Sequence, residues 1–470
     1  MKRWVWLLPL LAIAAIAVLR ISGPPDLLDK DQPRPIEYIL DAAADGNWIV
    51  QCDAGGSPCS KPPVYTWLAA ISSLVLGGNR LALYLPCAGA IAVLVLMAFQ
   101  LARCRLGMSA GLASGMILAL SLDAQKAVAL ARTDAVFAAC VGLAAWLALR
   151  AWEHGRGWLL FWLMCAVVSL AKSPVGVVFA ACGLAAMWWG ARPKTILAPQ
   201  RWPIHFLGAL ILLAITGGWF LLAYQQLGQP LIDRMLGREL IGHLVANDHG
   251  KPIWKTFWQP PAWYLGLFMP WSLLCIAAVV RLVRSPPAAP RRARFLRFMA
   301  CWLGLGLVLL CLAPHKRMVL ALPMLLPGAI LAGAEAGRWL AKWRLSRQIL
   351  LWSSLTLLTV SALYWYHHHA RDIEGDKIAA SRAILDATSA LSQSEQQGAV
   401  IGWVAGVPPT VRYFLLHWDK SKTIPDMLAV MAQSGPAAFL VPAGTPVPAA
   451  VRRVPYGTDI EIVYNFEADR

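Results

Sequence analysis

Charge is what this chain has least of. Asp, Glu, Lys and Arg together make up 14% of its 470 residues, where a soluble globular protein carries about a quarter. That shortage excludes an ordinary soluble domain as the main body. Acid is scarcer than base, with 25 Asp and Glu against 42 Lys and Arg. No small-residue cleavage signature follows the first apolar run in "RISGPPDLL", so that run is expected to stay as an uncleaved signal-anchor helix. Internal repeats and low-complexity linkers are also missing. What is abundant is apolar sequence: 58% of residues are hydrophobic and the mean hydropathy is +0.56. Mostly apolar windows of about 20 residues, the length that crosses a bilayer, recur over the first 366 positions.

The net charge of +17 invites a nucleic-acid reading, but its distribution argues against one. The basic clusters are Lys2–Arg3, Arg103 with Arg105, Arg150 to Arg156, Arg192 to Lys194 with Arg201, Arg281 to Arg297, and Arg338 to Arg347. Each ends an apolar run, and alternate connections put all of them on one side. That is the positive-inside pattern. It predicts a multi-pass protein of a bacterial inner membrane with a cytoplasmic N-terminus, membrane lipids around it and no nucleic-acid partner.

The expected spans are 4–20, 79–102, 108–123, 131–150, 157–171, 174–190, 204–225, 262–281, 298–313, 317–337 and 348–366, about eleven crossings. Two large loops, 21–78 and 225–261, fall on the periplasmic side. Within the first, "PIEYILDAAADG" has apolar residues at helical spacing between Pro and Gly and predicts an amphipathic interfacial helix. "PPVYTWLAAISSLVLGG" predicts a second interfacial or re-entrant helix. Residues 1–366 thus form a transmembrane domain. From 367 to 470 the composition is that of a small periplasmic α/β domain. "GAVIGWVAG", "AAFLVPAG" and "IEIVYNF" read as its strands; "DKIAASRAILDATSAL", "VPPTVRYFLLHW" and "IPDMLAVMAQSG" read as its helices.

Sorting polar residues by side gathers Asp29, Asp31, Arg34, Lys61, Asp123, Lys126, Arg132, Asp134, Lys172, Glu239, His243, His249, His315, Lys316 and Arg317 near helix ends on the outer side. Ionisable groups at membrane depth are costly and usually face a wet cavity. Carboxylates there offer a general base, and lysines and arginines stabilise a phosphate that gains charge as a bond breaks. Such a mixture suits a reaction on a lipid phosphate. A polyprenyl-phosphate sugar would then be the donor and a lipid or protein group the acceptor.

At these residues the chain resembles a family. "DQPRPIEYILDAAADGNWIV" followed by "SKPPVYTWL" is similar to the first-loop signature of the GT-C class polyprenyl-phosphate-sugar transferases. That group includes lipid A aminoarabinose transferases and protein O-mannosyltransferases. Asp31, Arg34, Gly46, Trp48, Lys61, Pro62, Pro63 and Trp67 match. "ARTDAVFAA" resembles the acidic opening of a family membrane helix, with Asp134 in that place. "LAKSPVGVV" matches at Lys172 and Pro174. "RELIGHLVANDHGKPIW" with "MPW", and "HKRMVLALPMLLP", resemble two later runs. The likeness covers about residues 1–340 and implies a GT-C-like helical fold. It implies Asp31 and Asp134 as catalytic residues. Arg34, Lys61, Arg132, Lys172, Glu239, His243, His249, Lys316 and Arg317 would bind donor phosphate or substrate. A divalent metal, with Glu239 and His249 as candidate ligands, is an open cofactor assignment. Three departures stand out. Gln32 replaces a carboxylate, Leu240 and His243 replace Asn and Arg, and Val319 and Leu320 replace polar or aromatic residues.

Other readings stay beside this one. A lipid or sugar transporter places polar groups near the bilayer midplane, often in inverted repeats. A scaffold that has lost catalysis fits Gln32 and Leu240. Asp26 and Asp29 read as loop solvation and helix capping. "HHH" at His367 to His369 reads as interface polarity, because adjacent residues point different ways on a helix. Most of the ten cysteines lie in apolar runs. Cys52 and Cys59 share a polar loop and are either a disulfide or two free thiols.

Overall fold

The computed structural model describes residues 4–25, 27–28, 32–189, 202–241, 256–313, 316–404, 406–416, 421–433, 435–448 and 451–466, the side chains of 238–241, 370–377 and 421–422 excepted. The chain is a mostly helical, polytopic membrane protein with a small sheet near its C-terminus. The helices are α1 (Leu7–Ser22), α2 (Pro33–Ala43), α3 (Val64–Leu76), α4 (Arg80–Leu106), α5 (Met108–Ala119), α6 (Leu122–Ala127), α7 (Thr133–His154), α8 (Trp158–Ala171) and α9 (Val175–Ala181). There follow α10 (Trp202–Leu227), α11 (Gln229–Ile232), α12 (Gln259–Leu267), α13 (Trp271–Arg284), α14 (Pro290–Leu312), α15 (Leu325–Leu340) and α16 (Leu345–Gln396). Tighter 3-10 turns extend α9 over Cys182–Met187 and precede α15 over Met318–Met324.

Contacts divide the chain into two compact units. The first comprises Met1–Arg20, Ser57–Tyr65 and Leu85–Ala362; the second comprises Ile21–Gly56, Thr66–Tyr84 and Leu363–Arg470.

Among the described residues, six helical stretches are long and apolar enough to cross a bilayer. They are Arg80–Leu106, Thr133–His154, Trp202–Leu227, Pro290–Leu312, Met318–Leu340 and Leu345–His369. Five shorter apolar helices accompany them: Leu7–Ser22, Val64–Leu76, Met108–Ala119, Trp158–Ala171 and Val175–Met187. Two expected spans differ in detail. The run 262–281 is a pair, α12 and α13, bent by 114°. Pro270 is the cause: it has no N–H for the helical ladder and biases Met269 away from helical backbone. The run 108–123 stops as a helix at Ala119, and Asp123 belongs to the separate α6.

In the first unit α5 packs closely against α15. Gly333 and Gly337, one turn apart on α15, face Ser114 and Ala110 of α5. A Cβ on Gly333 would lie 2.6 Å from the Ser114 backbone nitrogen, and one on Gly337 2.5 Å from the Ala110 Cα. Small residues four apart on both helices let the backbones approach, and dispersion replaces the hydrophobic drive that lipid does not supply. By contrast α10 buries only 17% of its apolar window and Leu345–His369 only 6%. Apolar surface so little covered by protein belongs in lipid.

The second unit holds a five-stranded sheet. Its strands are β1 (Val400–Val404), β2 (Ser421–Lys422), β3 (Ala437–Pro442), β4 (Arg452–Tyr456) and β5 (Ile460–Tyr464), in the order β2-β1-β3-β5-β4. β2, β1 and β3 run parallel, and β5 pairs antiparallel with β3 and β4. The central strand β3 is buried on both faces with the strand period of two. Ala438 and Leu440 join a core with Ile384 and Leu391 of α16 and Val411 of α17 (Pro409–Phe414). Phe439 and Val441 join another with Met427 and Met431 of α18 (Ile424–Met431).

The first loop packs into this same unit. Leu28 reaches the first core, α2 lies against α17, and Arg412 pairs with Asp45 at 3.4 Å. The Tyr413 hydroxyl shares a 2.8 Å hydrogen bond with Ser73. Burial pushes that phenol's pKa up, against the Ser73 bond, which lowers it.

Candidate functional site

In the second unit, α2 starts on Pro33 and Pro35, whose fixed φ suits a first helical turn, and buries Ile36, Ile39 and Leu40. Its polar side organises the loop behind it. Asp41 accepts from the Asn47 side chain and from the Cys52 N–H, each at 2.8 Å. Glu37 accepts from Ala54 N–H at 2.9 Å. The Trp67 indole donates to the Trp48 carbonyl, and the Gln51 amide donates to the carbonyls of Asn47 and Trp48. Gly46, at φ +77°, turns the chain out of the helix. The motif residues Gly46, Trp48 and Trp67 therefore build a fixed loop. Arg34 stands exposed on α2. Gln32 is fully buried, an environment that suits a neutral amide better than a carboxylate. Cys52 and Cys59 are free thiols. Burial first, then the charges of Asp41 and Asp53, push the Cys52 thiol up and keep it protonated.

In the first unit the sequence places Asp134 in the first turn of α7, where the helix dipole favours an anion. It places Lys172 where α8 stops, just before Pro174. The fold closes the gap of 38 residues: the Lys172 ammonium donates to the Asp134 carboxylate. The two side chains are only 13% and 15% exposed. The Lys172 ammonium also lies 5.6 Å from the Phe137 ring centre. Arg132 immediately precedes α7, without a side-chain cap to it, and its carbonyl accepts from the Cys87 thiol at 3.2 Å.

Lys316 and Arg317 belong to the same end of the helix bundle. The Met318–Met324 turn packs against α6, α7 and α12, and Leu326, just beyond it, lies beside Gly142 of α7. Lys316 donates to the Thr256 hydroxyl at 3.0 Å and to the Ala313 carbonyl at 2.7 Å. Together with Arg317, Trp263 and Pro260 it lines a crevice of about 10 Å³, room for about one water.

The expected site residues thus sort as follows. Asp134 and Lys172 are bonded to each other, with Arg132 beside them in sequence and Lys316 and Arg317 at the same end. Lys61 is half-buried in the 57–65 segment of the first unit, and Arg34 is in the second unit. Asp31, His243 and His249 lie outside the described residues, as does the side chain of Glu239. Among the described residues no three His, Cys, Asp or Glu side chains cluster as a metal would need. His368 and His369 stack separately on Tyr364 and Trp365, each one turn earlier on α16.

One acid counted only among the outer polar residues gains weight. Asp123 sits in α6 between two apolar helices. Burial pushes its carboxyl up to about 6, against the opposing pull of Lys126. A carboxyl that titrates near neutrality is suited to proton transfer. The signal in the sequence is an acid and a base three apart in the short segment "LDAQKA".

Comparison with known proteins adds three findings. The family model for dolichyl-phosphate-mannose-protein mannosyltransferases matches residues 60–219. An undecaprenyl phosphate-alpha-4-amino-4-deoxy-L-arabinose arabinosyl transferase of Pseudomonas fluorescens (strain Pf0-1) is 24% identical over 332 residues, 66% of this chain and 54% of that protein. The transferase of that name from Pseudomonas aeruginosa (strain UCBPP-PA14) is 27% identical over 348 residues, 71% of this chain and 59% of that one. The chain therefore spans between half and two thirds of the length of the curated relatives it matches. The crystal structure of ArnT from Cupriavidus metallidurans bound to undecaprenyl phosphate superposes with a TM-score of 0.68. It is 16% identical, and the match covers 99% of this chain and 98% of that one. The Archaeoglobus fulgidus oligosaccharyltransferase AglB, in complex with an inhibitory peptide and a dolichol-phosphate, superposes at 0.52 and 12% identity, over 88% of this chain and 64% of that one.

Proposed function

We propose that this chain, which belongs to the GT-C class of polyprenyl-phosphate-sugar glycosyltransferases, moves a sugar from a polyprenyl-phosphate donor to a lipid acceptor of the lipid A kind. The reaction takes place at the periplasmic face of a bacterial inner membrane. The relatives' names, which specify undecaprenyl phosphate and an aminoarabinose, support that donor. The basic connections at the opposite helix ends support that facing. The observation that carries the reading is the Lys172–Asp134 pair, held at the bundle end that also presents Arg132, Lys316 and Arg317.

The chemistry follows from the charge that moves. The bond between the anomeric carbon and a phosphate oxygen breaks, and both its electrons leave with the polyprenyl phosphate. A phosphodiester with one negative charge thereby becomes a monoester with two. Cations fixed at that oxygen stabilise the charge as it develops. Lys172 at the end of α8 and Arg132 at the start of α7 are candidates for that role, and Lys316 and Arg317 add to the field. Asp134 holds the Lys172 ammonium in place. The acceptor oxygen forms the new bond to the anomeric carbon. If the acceptor is a lipid phosphate, it arrives ionised and no proton needs to move. If it is a hydroxyl, its proton passes to a carboxylate, which the sequence motif assigns to Asp31.

The test uses purified full-length protein with labelled undecaprenyl-phosphate aminoarabinose and lipid A in mixed micelles, with mass spectrometry of the lipid product. Transfer by the wild type, abolished in Lys172→Met and Asp31→Asn, is the expected result. Transfer unchanged in both variants refutes the assignment. Movement of donor across proteoliposomes without transfer replaces it with the transporter reading.

A further inference from the structure

The other end of the first unit carries a cavity that glycosyl transfer leaves unexplained. α7 has 22 residues and so spans about 33 Å. Its start meets α4 near Cys87, and its end meets α4 again where the Arg105 guanidinium donates two hydrogen bonds to the Glu153 carboxylate. Beside that second meeting point the ends of α4, α13 and α15 and the beginnings of α5 and α14 enclose about 560 Å³. The cavity therefore lies about 30 Å from the Lys172–Asp134 pair, by the length of α7.

Its lining is mostly apolar, with three arginines set into it. Arg281, Arg292 and Arg338 share it with Leu106, Leu282 and Leu296. Glu335, 2% exposed, is the single acid. The Arg281 fork occupies both of its oxygens, Nε to Oε2 at 3.0 Å and Nη2 to Oε1 at 2.9 Å. Arg338 adds a longer bond at 3.4 Å. Three guanidinium charges against one carboxylate leave the pocket at +2. Arg281 and Arg338 keep about half of their side-chain surface open, 45% and 52%. Planar guanidinium forks of this kind suit phosphate oxygens.

Size and surroundings say what carries the phosphate. A volume of 560 Å³ is in the range of organic-ligand pockets and far above what one inorganic anion fills. Apolar surface lies within the cavity itself, where Leu106, Leu282 and Leu296 stand beside the guanidiniums at the ends of membrane-spanning helices. We propose that this cavity is a binding site for the headgroup of an anionic glycerophospholipid. Its phosphate sits among Arg281, Arg292 and Arg338, and the start of one acyl chain lies against Leu106, Leu282 and Leu296. The site is separate from the transfer site, and the lipid ties α13, α14 and α15 together.

The experiment is native mass spectrometry of the full chain titrated with phosphatidylglycerol, phosphatidylcholine or inorganic phosphate. It compares wild type with Arg292→Gln, Arg338→Gln and the double variant. Each removed charge is expected to weaken phosphatidylglycerol binding about five-fold, the equivalent of about 1 kcal/mol per basic residue near a lipid surface, and the double variant about 25-fold. Equal retention of phosphatidylcholine, or wild-type affinity in the double variant, overturns the proposal. Competition by inorganic phosphate as strong as that by the lipid overturns it too, in favour of a free-anion site. If the variants do not fold, a phosphatidylglycerol carrying a diazirine near its headgroup is photolysed on wild-type protein. Adducts within 278–296 or 334–341 are expected, and adducts only elsewhere refute the site.

Discussion

The Lys172–Asp134 pair allows its structural and chemical parts to be separated. Both side chains are mostly covered, at 13% and 15% exposure, so removing one leaves an uncompensated charge in a poorly solvated place. A buried ion broken in this way costs about 3 kcal/mol or more. Lys172→Met and Asp134→Asn are each expected to destabilise by about 3 kcal/mol, and the double variant by about 1 kcal/mol. The coupling between them is then several kcal/mol, in line with residues in direct contact. In a chain of this length 1 kcal/mol moves the midpoint by about 2 °C or less. Melts in detergent should therefore show falls of about 5 °C for the singles and about 2 °C for the double. Transfer must behave differently. If the Lys172 ammonium stabilises the departing phosphate, Lys172→Met loses about 100-fold or more in rate. The double variant stays equally slow although its stability returns. A double variant that regains stability and rate together would mean that the pair only holds α7 to α8, and the phosphate role would fail.

Three further outcomes follow from the geometry. Asp123 titrates near 6 in the folded chain against an ordinary 3.8, so the folded state binds more protons than the unfolded one between those values. Stability should decline by about 2–3 kcal/mol as pH rises from about 4 to 6; Asp123→Asn should flatten that slope in pH-dependent melts, and an unchanged slope refutes the burial argument. Gly333→Leu forces side-chain atoms into the Ser114 backbone and should cost about 3 kcal/mol or more, seen as a lower melting midpoint; a wild-type midpoint would mean that α5 and α15 separate freely. Gln32→Glu places a carboxyl at a fully buried position, so it should destabilise by about 2 kcal/mol at pH 8 and less at pH 5, and equal stability at both values refutes the point.

The sequence shows some of this directly and hides the rest for identifiable reasons. The break at Lys172 is legible because a lysine followed by Pro174 interrupts an apolar run. The start of α7 is legible because Asp134 opens one. The bend at Pro270 was masked by composition: apolar residues continue across it, and hydropathy does not register a missing N–H. Strands β1, β3 and β5 carry apolar runs and stand out, whereas β2 and β4 do not. Those two are the sheet's edges, and edges tolerate what interiors reject. β2 is two residues long, and β4, "RRVPY", holds two arginines and a proline. The placing of the first loop beside the C-terminal sheet rests on contacts such as Ser73 with Tyr413, 340 residues apart, which no local pattern announces.

Charge at membrane depth needs a partner, and three acids in the first unit show how the fold supplies one. Asp134 takes Lys172 and joins α7 to α8. Glu153 takes Arg105 and joins α7 to α4. Glu335 takes Arg281 and joins α15 to α13. In each case the base comes from another helix, so each pair fixes packing as well as charge. The two ends of the bundle then differ in the cations that accompany the pair. Around Asp134 the other cations, Arg132 and the adjacent Lys316 and Arg317, come from two connections and, on the proposed function, suit a phosphate whose charge appears during a reaction. Around Glu335 the remaining cations line one cavity and suit a phosphate whose charge is permanent. A single rule, neutralise the buried acid with a base from another helix, thus underlies both of the anion environments proposed for this helical bundle.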